Sequence, residues 1–348
     1  SLFTVLLVGC VMIRVLVARL WIRPVIAMII ATGTFCVPGF LFTVMNPTAW
    51  SMHLLSLVLG VAGYACLARS HAGSLFLAHS LKTLNVVQVW QNYFAVERRS
   101  SVLTALLLFQ LSMFCYPPNC LIVLVFPVAT VLFSPLPIRF RESLFLRDFG
   151  FVGAGIALYI VISKALYFPI GTALGIVTPI PETGPASMYR FVFDFNLTDV
   201  VRRLLDSIRV AKDLWFLPNF GGLILAGYAV LAALLVLACV VNRPIRRPAI
   251  LTVFLGTVAV AMCYVLSVAP LIFTLGGLIA YRTIVVPSAI MLVVVLYLVA
   301  KAYGSLAPQF APPRAWARSD LPYGLPVAAA IFLTTSYGVS SVVQIGQN

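Results

Sequence analysis

Acidic side chains are scarce in this chain: nine Asp and Glu stand against 23 Lys and Arg. Charge of either sign makes up only 9% of it, while 62% is hydrophobic. So little charge excludes a water-soluble fold, which would have to expose too much apolar surface. Disulfide and metal signatures are missing too. The seven cysteines (Cys10, Cys36, Cys66, Cys115, Cys120, Cys239 and Cys263) are odd in number, include no Cys-x-x-Cys and lie almost entirely within apolar runs. They read as small buried hydrophobes; Cys115 and Cys120, on either side of Pro117-Pro118, are the one pair for which a bridge is conceivable. His53, His71 and His79 show no ligand spacing with one another or with carboxylates. No metal site and no cofactor are therefore expected. Phosphate-binding loops, dinucleotide fingerprints and Ser/His/Asp spacings are likewise lacking.

What the chain has instead is apolar runs near the 20 residues that cross a bilayer as a helix. Ten spans are expected, at about 2–20, 25–45, 51–68, 101–115, 119–135, 149–170, 219–241, 248–268, 284–301 and 323–341. The expected fold class is all-α: a polytopic transmembrane bundle with an external amphipathic interfacial helix. Residues 1–348 form a single membrane domain, read as a fragment missing both ends because Ser1 leads straight into an apolar run.

The net charge of +14 sits in short clusters between those runs. That distribution suits topology and anionic lipid, not nucleic acid. Basic loops face the cytoplasm, and one orientation satisfies nearly all of them provided 101–135 is a hairpin turning at Pro117-Pro118-Asn119. Arg19 and Arg23; Arg69, Lys82, Arg98 and Arg99; Arg139, Arg141 and Arg147; Arg243, Arg246 and Arg247; and Lys301, Arg314 and Arg318 then face inward. Asn46–Trp50, the Pro117 turn, residues 171–218, residues 269–283 and both termini face outward.

Two stretches are neither spans nor simple loops. Residues 73–96, with Trp90, Tyr93 and Phe94, are expected as a cytoplasmic interfacial segment. In the external loop 171–218, Val201, Leu204, Leu205, Ile208 and Trp215 recur at helical spacing, with charges of alternating sign on the other face. An amphipathic helix is expected at about 199–216, capped by Asn196 or Thr198. Pairs such as Arg202–Asp206 and Arg209–Asp213 contribute only about 0.2–0.5 kcal/mol each. The apolar face must therefore lie on the membrane or on the bundle.

Five of the nine acids fall between Glu182 and Asp213. Glu182 and Asp194 bracket Tyr189, Phe191, Phe193 and Phe195. Carboxylates beside rings suit sugar recognition; an interfacial loop with its aromatics in the headgroups is the plain alternative. Arg282, beside Tyr281 at the outer end of an apolar stretch, offers a planar fork for a lipid phosphate, or else snorkels to the interface. Lys164 is a weaker case of the same kind. Arg190, Arg202 and Arg203 are further external cations that could meet a lipid phosphate or saccharide.

Several landmarks occur in a recognisable order. They are Asn46-Pro47 before the span near Ser51; Phe109–Pro118; the charged helix 199–213; Pro270 followed by Tyr281-Arg282; and Ser336-Tyr337-Gly338 with Gln344. In that order they resemble bacterial O-antigen (lipopolysaccharide) glucosyltransferases of the serotype-converting type, polytopic GT-C-like enzymes. The resemblance implies transfer of glucose, outside the inner membrane, from a polyprenyl-phosphate carrier to a lipopolysaccharide glycan. Its partners would be that sugar donor, the glycan acceptor and membrane lipids, with no nucleic acid. Such enzymes usually take their catalytic base from an acidic pair in the first external loop. No acid precedes Glu97 here, so the pair is expected upstream of Ser1, with Glu182 and Asp194 as weaker candidates. Arg282 carries over as the phosphate contact. An O-antigen polymerase or ligase, a lipid-linked sugar transporter or flippase, and a scaffold within a membrane complex are the alternatives. Against a transporter stands the lack of an acidic residue in any expected span.

Overall fold

The computed structural model describes residues 2–36, 50–69, 96–136, 138–175, 196–215, 247–272 and 285–306. Their regular structure is entirely helical. In chain order the helices are α1 (Leu2–Ala18), α2 (Pro24–Cys36), α3 (Trp50–Arg69), α4 (Val96–Cys115), α5 (Pro117–Cys120), α6 (Val125–Phe133), α7 (Ile138–Ile162), α8 (Phe168–Ala173), α9 (Leu197–Trp215), α10 (Arg247–Ile272) and α11 (Val285–Leu306). A 3-10 turn, Leu121–Leu124, joins α5 to α6, and a π-helical turn, Ser163–Tyr167, joins α7 to α8. Two stretches, Ser51–Ala68 and Arg141–Ile162, are long and apolar enough to cross a membrane; six further apolar helices are shorter. The interfacial segment expected at 73–96 lies outside the described residues except for its last residue, which opens α4. The spans expected at 219–241 and 323–341 lie outside them altogether.

The packed unit is built on a hairpin, and the sequence dictates where it turns. Pro117 and Pro118 occupy the first positions of α5, where a missing N–H costs nothing. The ring of Pro117 pushes Tyr116 out of helical geometry into extended backbone, at φ −162° and ψ 99°. The chain then doubles back, so that Cys120 Sγ lies 3.6 Å from the Phe109 carbonyl oxygen. The returning stretch is the centre of the bundle. From Cys120 to Phe126 every side chain is buried, between α3, α7, α10 and α11. Cys115 and Cys120 are free thiols.

Side-chain contacts give the directions of the neighbours. α3 runs antiparallel to α4: Ser56 meets Ser112 near one end, and Gly63 faces Ala105 further along. A Cβ at Gly63 would sit 3.0 Å from the Ala105 carbonyl oxygen, so glycine lets the two backbones close up. α7 runs parallel to α4, with Phe109 edge-on to Phe151 at 5.7 Å and Phe114 edge-on to Tyr159 at 5.2 Å. Leu132 packs on Gly256 of α10, and Phe133 meets Tyr297 of α11 at 5.6 Å. One end of the bundle therefore collects the helix ends that carry Arg69, Arg98, Arg99, Arg141 and Arg247. The other collects His53, Tyr116–Asn119, Tyr159, Ile272 and Val285.

The link between α1 and α2 shows local strain. Trp21 takes a left-handed conformation, φ 54°, while Ile22 N–H reaches back to the Leu16 carbonyl at 3.0 Å. A left-handed residue just past a helix end is usually glycine, which has no Cβ to clash.

Candidate functional site

Among the described residues, two polar clusters interrupt the apolar interior. The first surrounds an acid that hydropathy places outside any span. The boundary expected at residue 149 leaves Asp148 in a basic loop; in the structure α7 starts at Ile138 and carries Asp148 inside, with no solvent exposure. This corrects the expectation that no span holds an acidic residue, since Asp148 lies within the apolar stretch Arg141–Ile162. Both its oxygens are occupied. Tyr64 Oη donates to Oδ2 at 2.6 Å; Arg147 Nε and Nη2 both donate to Oδ1, at 3.1 and 2.8 Å. The Tyr64 ring stacks on Phe126 at 4.3 Å, so the hydroxyl is fixed by two elements at once. The physical reason for burial is this saturation: a carboxylate enters a low-dielectric interior only with a counter-charge and donors for its lone pairs.

The second cluster lies at the end away from the arginines. His53 stacks on Tyr116, ring centroids 3.8 Å apart. Asn119 Nδ2 donates to the His53 carbonyl at 3.2 Å, while Asn119 Oδ1 is buried without a hydrogen-bond partner. Beneath them the Ser56 hydroxyl lies 2.7 Å from the Tyr116 carbonyl and 3.1 Å from Ser112 Oγ. Deeper still, Gln110 Nε2 donates to the Gly155 carbonyl at 2.8 Å. Of these groups, the Ser56 hydroxyl reaches carbonyls where α4 ends, those of Ser112 and Tyr116. They also present an imidazole, a phenol and a carboxamide together at one end of the bundle. α5, which carries Asn119, touches both α10 and α11, whose ends flank the sequence position of Tyr281 and Arg282.

The amphipathic helix forms as α9. Asn196 is its cap, with Oδ1 accepting from Thr198 N–H at 3.1 Å. It rests on α10 through polar atoms: Arg203 Nη1 donates to the Ile272 carbonyl at 3.0 Å, and Ser207 lies 3.5 Å from the Tyr264 hydroxyl. Ile272 ends α10, so a guanidinium from another helix covers an orphan carbonyl. Arg203, expected among the external cations, thus has a structural partner. Arg202 is exposed and pairs at 3.1 Å with Asp199, one turn before it, and not with the expected Asp206, one turn after it.

Of the other expected residues, Lys164 falls in the π-helical turn that follows α7, at the end away from the arginines. Such turns often occur at functional sites. Glu182, Arg190, Asp194, Tyr281 and Arg282 lie outside the described residues. Among the described residues no group of three or more His, Cys, Asp or Glu converges on one point. The residues that sequence reasoning missed are Asp148, Tyr64 and the His53–Tyr116–Asn119 set. One signal for Asp148 was present: Leu144, Phe145, Phe149 and Val152 keep helical spacing straight through the charged pair. Comparison with protein-family models, curated proteins and solved structures finds no match for this chain.

Proposed function

We propose that the protein is a multi-pass glycosyltransferase of a bacterial inner membrane, about ten spans in all. It moves a sugar, glucose by the resemblance, from a polyprenyl-phosphate carrier to a lipid-linked or lipopolysaccharide glycan on the external face. The observation that carries this reading is the division of the bundle into two ends. The arginine-bearing helix ends lie together, as cytoplasmic ones would. Away from them lie α9, the His53–Tyr116–Asn119 cluster and the flanks of the Tyr281-Arg282 segment.

In the proposed reaction a carboxylate takes the proton of an acceptor hydroxyl as its oxygen bonds to the anomeric carbon. The bond from that carbon to the phosphate oxygen breaks, and polyprenyl phosphate leaves with the electron pair. Arg282 holds the departing phosphate and stabilises its growing charge. Both reactants are tethered to one leaflet, so positioning supplies much of the acceleration. The test is glycan modification in cells carrying Arg282→Ala at normal protein abundance. Loss of modification supports the reading, and unchanged modification removes its only phosphate contact. Labelling of intact cells should also place residues 182–213 and 282 in one compartment.

A second reading, transport of a lipid-linked sugar, is favoured by one observation: a fully buried acid inside an apolar span. Intramembrane carboxylates mark ion and substrate pathways. Vesicles supplied with donor on the outer side separate the two. A transferase with Asp148→Asn still modifies acceptor there if it folds, whereas a transporter with that change fails to move donor across.

A further inference from the structure

The exposed flank of α9 points to a lipid surface as its partner. The helix turns only part of its apolar side to the bundle. Val200, Arg203, Leu204, Ser207 and Val210 turn toward α10 or are partly covered, and the hydrogen-bonding contacts are the polar ones of Arg203 and Ser207. Leu197, Val201, Leu205 and Ile208, at steps of four, four and three, form a stripe left open to the outside. On a helix of 3.6 residues per turn that stripe is one continuous strip beside the docked face. Arg202 and Arg209, both exposed, follow it on the far side.

The surface it adjoins has the same character. Phe254, Val258 and Val265 of α10 are exposed and share one stripe of their own helix. Tyr264, which Ser207 of α9 approaches, neighbours Val265 in the chain. Apolar strips on two touching helices, edged by arginine, match the layering of a leaflet: acyl chain below, phosphate above.

We infer that α9 is a membrane-interface helix clamped to the bundle by Arg203 and Ser207. Acyl chains of an anionic leaflet cover its Leu197–Val201–Leu205–Ile208 strip, and Arg202 and Arg209 meet lipid phosphates. The clamp fixes the roll of the helix, and the leaflet fixes its depth. This inference stands whichever chemistry the protein performs.

The test uses the full chain in vesicles, with an environment-sensitive fluorescent amino acid at Leu205 or, separately, at Asp206. Lipids carrying a quencher high in the acyl chain should quench the Leu205 probe several-fold more than the Asp206 probe. A water-soluble quencher should show the reverse order. Adding anionic lipid should blue-shift the Leu205 probe in the unsubstituted background. In the Arg202→Gln/Arg209→Gln double variant the shift should be lost, and free inorganic phosphate should not compete for it. Equal quenching at the two positions overturns the inference. So does a phosphate-sensitive shift, which means a soluble anion is the ligand, or cross-linking of Leu205→Cys between two copies, which means the strip is a protein interface. Because Leu205 is exposed, its replacement should leave the fold intact; unchanged thermal melting checks that.

Discussion

Two helices of this protein each carry an arginine beside an aspartate, and they use the pair in opposite ways. In α7 the Arg147–Asp148 pair, 2.8 Å apart, is 13% and 0% exposed; in α9 the Arg202–Asp199 pair, 3.1 Å apart, is 71% and 32% exposed. The chemistry is nearly the same and the surroundings decide what it does. In α9 water screens both charges, and the pair is a minor feature of a helix face. In α7 the carboxylate is out of reach of water, so its burial rests on the guanidinium beside it and on the Tyr64 hydroxyl. Tyr64 completes the arrangement from a different helix, which converts a local pair into a tie between α3 and α7.

The comparison breaks most visibly at Arg147. Arg147→Met leaves Asp148 buried without its counter-charge and should cost about 3–5 kcal/mol, read as loss of thermal stability in detergent. The double variant R147M/D148L removes both charges and should recover most of that loss. A double variant as unstable as the single one would mean the ion pair has a value beyond its own neutralisation. Next comes Tyr64→Phe, which deletes a hydrogen bond to a charged acceptor and should cost about 1.5–3 kcal/mol, again by thermal melting.

Arg203 stands between the two extremes, since its bond to Ile272 is only partly buried. Arg203→Ala should cost about 1 kcal/mol, discounted for that exposure. The amides of α9 should then exchange faster with solvent while those of α3 and α4 do not. The smallest effect belongs to Asp199→Asn, which loosens the exposed pair by no more than about 0.5 kcal/mol. Raising the salt concentration should erase even that.

How much of this was legible depends on where the information lies along the chain. The span expected at 51–68 coincides with the apolar stretch Ser51–Ala68, because hydropathy over one unbroken run is a local property. The turn at Pro117 was legible for the same reason: Pro117 constrains Tyr116 directly through the backbone. So was the helix near 199–216, found at Leu197–Trp215, because its charges alternate in step with the helical repeat.

Asp148 was missed because hydropathy treats a charge as an end to a span, whereas pairing with Arg147 and Tyr64 lets the helix continue through it. Half of that argument lies 84 residues away, in Tyr64. The clustering of His53, Tyr116 and Asn119 also depends on how α3 and the hairpin fold together, and no periodicity announces it. Which side of α9 meets the bundle was beyond the sequence too. The expected apolar face is divided: Leu204 turns in with Arg203 and Ser207, while Val201, Leu205 and Ile208 stay exposed.

The 3-10 turn at Leu121–Leu124 has a consequence for reach. Each of its residues advances about 2.0 Å along the axis, against about 1.5 Å in an α-helix. Pro117 through Phe133 thereby extends to about 28 Å, within a few ångströms of a hydrocarbon layer about 30 Å thick. By stretching at its middle, a stretch otherwise too brief to traverse oil nearly does so. Rewinding those four residues as ordinary α-helix would draw Phe133 inward and strain its contact with Tyr297.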